Sequence, residues 1–460
     1  MQPYGPDSRR SWAAVVLAGL VQIPVLFSLK TMGVIFVGLL SERHLSRQNA
    51  SWPLTLFIVS SQIFAPVLPL LQRFMPAFII LPLSCTVSAV SLMLSYFAKN
   101  LTQLSIVLAV HGFSLAAIYI FSTFLLMQYF KSKRTAATVL TSTMSTACTI
   151  FAPNAMQALV LSYGVRYSLV IIGAAGLIVI PFSIGLKTPN WYSDHDENGS
   201  KIERQNSCRE EADDFLDAEK GRSVCVETSS ARSRINLTSA STFLRSYWLT
   251  PLFLIHVISV TVTYNSMNLF LLLAFDHALD VGIATSSALY VLPAYCCGDL
   301  VARFFSGIAI DLKWISWQAV LALGYTIEVI CLVTLALNSS RVILLLLSFI
   351  VGCTCGAKVS LVPVQLANDF GLNRLVSSSG SVFFICGCVA ALRPWFVGYF
   401  RDVCGSYKGL FLVVACCCAL CSAYWLSRVT RSFRENLQTR KKLRQEEAEC
   451  KFEKISPKNG

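Results

Sequence analysis

Six ionisable side chains stand inside runs of apolar residues, where each needs a reason to be kept. Lys30 lies within Val25-Leu-Phe-Ser-Leu-Lys-Thr-Met-Gly-Val-Ile-Phe36, and Asp299 and Arg303 lie within Tyr295-Cys-Cys-Gly-Asp-Leu-Val-Ala-Arg-Phe-Phe-Ser-Gly307. Glu328, Lys358 and Arg393 are surrounded in the same way. An ionisable group at the centre of a bilayer costs from about 2.5 to more than 10 kcal/mol depending on the reference state, so a retained one reads as part of a pair or of an ion path. Asp299 and Arg303 are spaced i, i+4 with the acid first, which puts both on one helical face in the favourable order for pairing. Lys30 has no partner within a helical turn, so it stands first among the candidates to attract an anion in a low-dielectric site. Glu328 reads more simply as a partner for a neighbouring helix. Lys358 and Arg393 lie near enough to the ends of their apolar runs for snorkelling to compete with burial. His111 and His256 read as packing residues ahead of proton carriers.

Other chemistry finds no support. The chain holds no HExxH and no GxSxG, and Gly298-Asp299 lacks the preceding glycine of a GxGD aspartyl protease. No paired CxxC and no His/Cys box has zinc spacing. Most of the seventeen cysteines, including Cys296-Cys297 and Cys416-Cys417-Cys418, sit inside apolar runs, where cysteine behaves as a small hydrophobe. Neither an enzyme nor a metal or cofactor site is expected.

The elements that must position these residues are membrane helices. With 55% hydrophobic and 14% charged residues and a mean hydropathy of +0.60, the chain is far from soluble usage. At about 20 apolar residues per crossing, twelve spans take up roughly 240 residues. Polar breaks delimit apolar segments near 12–40, 52–71, 76–97, 103–129, 135–160 and 167–186, and then near 247–275, 284–308, 315–337, 341–366, 375–398 and 407–427. The expected fold is therefore an all-α membrane protein of twelve transmembrane helices in two six-helix halves, 1–186 and 247–427. A charged linker at 187–246 joins them, solvated by its composition, and a basic tail follows at 428–460, as a charged helix or without structure. The first apolar run is too long for a cleaved signal peptide.

Lys/Arg bias near helix ends sets orientation. With the N-terminus cytoplasmic, 27 of the 38 basic residues fall on the inner side, 7 on the outer side and 4 within spans. The +13 charge is then mainly a topology label, with no basic stripe of the kind that binds nucleic acid. Five glycosylation sequons, at Asn49, Asn100, Asn198, Asn236 and Asn338, divide between the two sides and settle nothing.

These residues resemble the monocarboxylate transporter family of the major facilitator superfamily. Leu29-Lys30-Thr31 with Val34-Ile35-Phe36 is similar to the family's first-helix lysine, and Asp299-Leu-Val-Ala-Arg303 to its eighth-helix Asp-x-x-x-Arg. Tyr129-Phe130 with Lys133-Arg134 and Ala137 resembles the signature entering helix five, and Pro6-Asp7 through Trp12 falls where the N-terminal signature begins. Val139, Met144 and Cys148 stand where the fifth helix of the family has small residues, and Arg393, just before Pro394, stands where the family usually has a small residue. The resemblance implies a multi-pass plasma-membrane carrier with both termini cytoplasmic, moving a small organic anion together with a proton by rocking of the two halves. Lys30, Asp299 and Arg303 would bind substrate and proton, with Arg393, Lys358 and Glu328 as further candidates. The alternatives are an uncoupled facilitator for a bulkier organic anion, aromatic amino acid or hormone-like acid, and a non-transporting scaffold acting through linker and tail. The resemblance also implies a single-span immunoglobulin-like ancillary subunit; lipid contact follows from the basic tail.

Overall fold

A computed structural model describes residues 7–43, 46–131, 133–189, 251–312, 314–338 and 340–455. The linker expected at 187–246 therefore lies almost wholly outside the described residues. Among the described residues every regular element is helical. Ten helices are long and apolar enough to cross a membrane, and the pair Arg47–Ile63 and Val67–Phe74, bent by 55°, makes an eleventh. One of the ten, Arg134–Gly185, has 52 residues, more than twice what one crossing needs. It turns back at Gly164, whose φ of 78° is open to glycine and strained for other residues.

The contacts of that hairpin fix the two ends of the molecule. Beside the turn, the Val165 N–H donates to Glu42 at 2.8 Å. At the other end of the returning helix the Tyr129 hydroxyl donates to the Lys187 carbonyl at 2.5 Å, while Tyr129 also accepts from the Asp7 N–H. The described residues thus form twelve crossings, and Asp7, Tyr129 and Lys187 share one end, opposite Glu42 and Arg47.

Individual spans are less regular than an apolar run suggests. The first is three helices, Ser11–Val21, Ile23–Lys30 and Met32–Arg43. At its second break the Thr31 hydroxyl donates to the Phe27 and Ser28 carbonyls, and Lys30 is the last helical residue before it. The eleventh is interrupted between Leu375–Ala390 and Arg393–Gly398. The twelfth continues unbroken as Lys408–Ile455, so the tail begins as a helix.

Small residues set the closest approaches. A Cβ on Gly298 would fall on the Phe349 carbonyl, and one on Gly352 on the Tyr295 carbonyl, so the eighth helix (Val291–Asp311) and the tenth (Arg341–Phe370) touch backbone to backbone. The larger residues of the fifth helix stand against glycines of the facing helices. Met144 covers Gly19, with Sδ 3.0 Å from where a Cβ would stand, and Val139 fills the space beside Gly307.

Candidate functional site

The broken first span carries Lys30 inward, and the eighth helix presents Asp299 and Arg303 one turn apart. Arg303 Nε donates to Asp299 Oδ1 at 2.6 Å, and Lys30 Nζ lies 3.4 Å from Asp299 Oδ2. All three are at least 97% buried. The two cations come from different halves and meet on one carboxylate. Lys30 Nζ has no hydrogen-bond partner, so its tie to Asp299 is charge attraction across a gap. The i, i+4 pairing was readable in the sequence; the partner of Lys30 was not. Gly356 on the tenth helix makes room for the carboxylate, since a Cβ there would stand 2.5 Å from Asp299 Oδ1.

A cavity of about 820 Å³, its mouth included, lies at mid-depth on the Asp7 side of this cluster. Leu26, Leu29, Tyr119, Tyr264 and Phe383 line it from both halves, and Arg303 is the one charged residue in its wall. Phe383 meets Tyr264 edge-on at 5.1 Å and Tyr119 at 6.4 Å. The wall is therefore apolar and aromatic with a cation at one point, the composition of a site that orients an amphipathic anion.

Glu328 and Lys358 form a second buried ion pair, both completely buried and contained in the C-terminal half. Snorkelling does not describe Lys358: its ammonium bonds Glu328 and stands 4.2 Å over the Tyr325 ring. Ser266 donates to the other Glu328 oxygen, and the Tyr325 hydroxyl donates to the Ser259 carbonyl at 2.6 Å. Neither charge lines the cavity. Arg393 does not snorkel either. It is only 5% exposed, because the break after Ala390 turns its side chain into the bundle, where Nη2 donates to Asn265 Oδ1 at 3.2 Å.

His111 is a satisfied packing residue, bonded to Ser28 and Ser88 and stacked on Phe57. His256 bonds Asp369 at 2.6 Å and lies against Trp317 and Trp425, away from the cavity. Among the described residues no three His, Cys, Asp or Glu converge as a metal site would require.

Sequence reasoning missed the seal at the end opposite Asp7. Arg47 of the second span donates from Nε to Asp276 Oδ2 at 2.8 Å, and the Tyr407 hydroxyl donates to the same oxygen at 2.6 Å. The Gln48 N–H donates to Asp402 at 3.2 Å, so two contacts bind the N-terminal half to the C-terminal half there. Just below, Gly33 lies so close to the seventh helix, Pro251–Asp280, that a Cβ would stand 2.6 Å from the Leu271 carbonyl. The available signal was Asp276 itself, an acid one residue past where the apolar run was taken to end.

Residues 18–392 match the profile of the Major Facilitator Superfamily. The chain is 23% identical over 412 residues to Monocarboxylate transporter 12 of Homo sapiens, spanning 89% of this chain and 78% of that protein. It is 24% identical over 429 residues to Monocarboxylate transporter 11 of Homo sapiens, spanning 90% and 82%. Among solved structures, a mutant of the nucleoside transporter NupG aligns with a TM-score of 0.60 at 12% identity, over 91% of this chain and 99% of that one. At that identity the likeness is one of fold.

Proposed function

We propose, from the premise that this chain belongs to the Major Facilitator Superfamily and is similar to its monocarboxylate transporters, that it carries small monocarboxylates together with protons by alternating access. The observation that carries this reading is two buried cations from opposite halves on one carboxylate. Ionised Asp299 holds Lys30 and Arg303, and the cluster bears one net positive charge. A proton on Asp299 frees the guanidinium, whose paired donors match a carboxylate. With the substrate bound, the cluster again bears one net positive charge. The site therefore passes between its empty and loaded forms without changing charge, which favours coupled movement of acid and proton.

In this reading the seal around Asp276 is the closed gate and the cavity the open side. By charge bias the Asp7 end faces the cytoplasm, the carrier sits in the plasma membrane, and a single-span immunoglobulin-like subunit accompanies it. The space and the aromatic wall beside Arg303 favour a second reading of the substrate, a bulkier organic acid carried without a proton. pH-driven uptake of labelled carboxylates into proteoliposomes tests both. Asp299→Asn and Lys30→Ala are expected to abolish uptake driven by an inward proton gradient; full gradient-driven flux in either variant refutes the coupling. Flux that ignores the gradient in the unaltered protein favours the second reading.

A further inference from the structure

The seal at the Arg47 end holds a histidine with no role in the substrate site. Three buried histidines stand among the described residues, His111, His256 and His277. His111 bonds through both ring nitrogens and His256 through one. His277 bonds through neither: its Nδ1 and Nε2 are both buried without a hydrogen-bond partner. Its ring instead meets aromatic edges of the twelfth span, with centroids 5.1 Å from Phe411 and 6.2 Å from Tyr407. A buried polar group left unpaired is costly, and in a folded protein it asks for a reason.

The neighbours of His277 supply that reason. Asp276, which precedes it, is the shared acceptor of Arg47 and Tyr407. One turn on, Asp280 pairs with Arg401, and both are partly exposed, so water lies within a turn of the ring. Three cations stand around it, Arg47, Arg401 and Lys408, and three acids, Asp276, Asp280 and Asp402. Glu42 on the adjoining first span is turned to the Val165 N–H. These charges balance, so a neutral imidazole fits and a proton on it is surplus. An imidazolium in that aromatic slot needs an acceptor or water. It either draws Asp276 away from Arg47 and Tyr407 or turns to the solvent beside Asp280, and both undo the seal.

We propose that His277 is an acid-operated latch: its protonation from the Arg47 side releases the Asp276 seal and favours the form open at that end. This rests on the seal being the closed gate, and it is separate from the proton on Asp299. The ring takes a proton more readily where water reaches it, so falling pH on that side shifts the population toward the open form. The shift sets in as pH falls through the ordinary histidine value of about 6.5 and is bounded at about tenfold per pH unit, the limit for one proton. A carrier driven by protons thereby presents its site on the side where protons abound.

The test uses the full chain in proteoliposomes without substrate. Gln48→Cys is the reporter, and Cys404→Ser removes the exposed native thiol at the same end. Reaction with a water-soluble, membrane-impermeant thiol reagent is followed against outer pH. Each rate is taken as a ratio to the same reporter with His277→Gln, which cancels the pH dependence of the thiolate itself. The ratio is expected to rise by about threefold or more between about pH 7.5 and about pH 5.5. His277→Lys, charged throughout, should react fast at both. A flat ratio, a ratio that falls with acid, or a slow His277→Lys overturns the latch. If His277→Gln fails to reconstitute, His277→Phe, which suits the aromatic slot, takes its place and the same outcomes decide. Asp299→Asn must keep the acid response; its loss there assigns the response to the substrate site and refutes the role of His277. Asp276→Asn must react fast at every pH. A slow rate in it overturns the gate and the latch together, whereas a fast rate beside a flat ratio counts against His277 alone.

Discussion

Two of the buried carboxylates among the described residues, Glu328 and Asp299, differ in one respect of their surroundings. Glu328 faces one cation, Lys358, and within the C-terminal half the pair is closed by Ser266 and capped by the Tyr325 ring. Asp299 faces two cations, one supplied by the other half, and the ammonium of Lys30 has no hydrogen-bond acceptor. The first arrangement is balanced and has nothing to offer a ligand. The second is one negative charge short and borders a cavity, so an incoming anion completes it. In the proposed reading the contrast separates a structural ion pair from a working one: balance inside one half marks the former, deficit between the halves the latter.

The most damaging way to break the contrast is at the balanced pair. Glu328→Ala leaves a buried lysine with no partner, and losing one member of such a pair costs about 3–5 kcal/mol. Folded protein recovered from the membrane should fall sharply. Glu328→Met with Lys358→Met should restore recovery and keep transport, since apolar residues of similar volume replace buried pairs at little cost. The parallel replacement at Lys30, Asp299 and Arg303 should recover folded protein and abolish uptake. If it transports, the distinction between the two sites collapses.

A smaller effect comes from Gly356→Ala. The new methyl group would meet Asp299 and the backbone of the eighth helix, displacing the carboxylate from its two cations. Proton-driven uptake should drop by about tenfold or more, in keeping with the steep cost of small misplacements at a positioned site. The protein should remain recoverable by size-exclusion chromatography. Gly307→Ala, against the stiff Val139, should cost chiefly stability. Gly19→Ala should cost least, because the atom it meets is the flexible end of Met144.

At the seal, Asp276→Asn removes the shared acceptor of Arg47 and Tyr407. It should leave folding nearly intact and bias the carrier toward opening at that end. A cysteine placed at Gln48 should then react faster with a water-soluble thiol reagent; an unchanged rate argues that the contact of Gly33 with the seventh helix, and not the ions, holds the end shut.

What the sequence allowed one to read follows from where each signal resides. Twelve crossings are written in apolar runs, and Asp299 with Arg303 in a spacing that any helix enforces. The ionisable groups deep in those runs all proved buried, because a bilayer makes each one conspicuous. The link between Lys30 and Asp299 depends on how two helices 269 positions apart in the chain pack, and no local pattern carries that. Arg393 looked like a residue near an end because its apolar run stops soon after, but a helix break redirected it inward. The fit of Met144 against Gly19, or of Val139 against Gly307, is invisible until the facing helices are known. Arg47 and Asp276 escaped notice because charge at a span end is ordinary.

The break at Thr31 divides the first span into two levers. Above it, Met32–Arg43 contributes Gly33 to the tight contact with the seventh helix; below it, Ile23–Lys30 forms part of the cavity wall. Lys30 stands at the fulcrum. A rotation at that joint would shift Gly33 relative to the cavity wall, with Lys30 beside the pivot. The residue proposed to attract the substrate would then stand at the hinge of the far door.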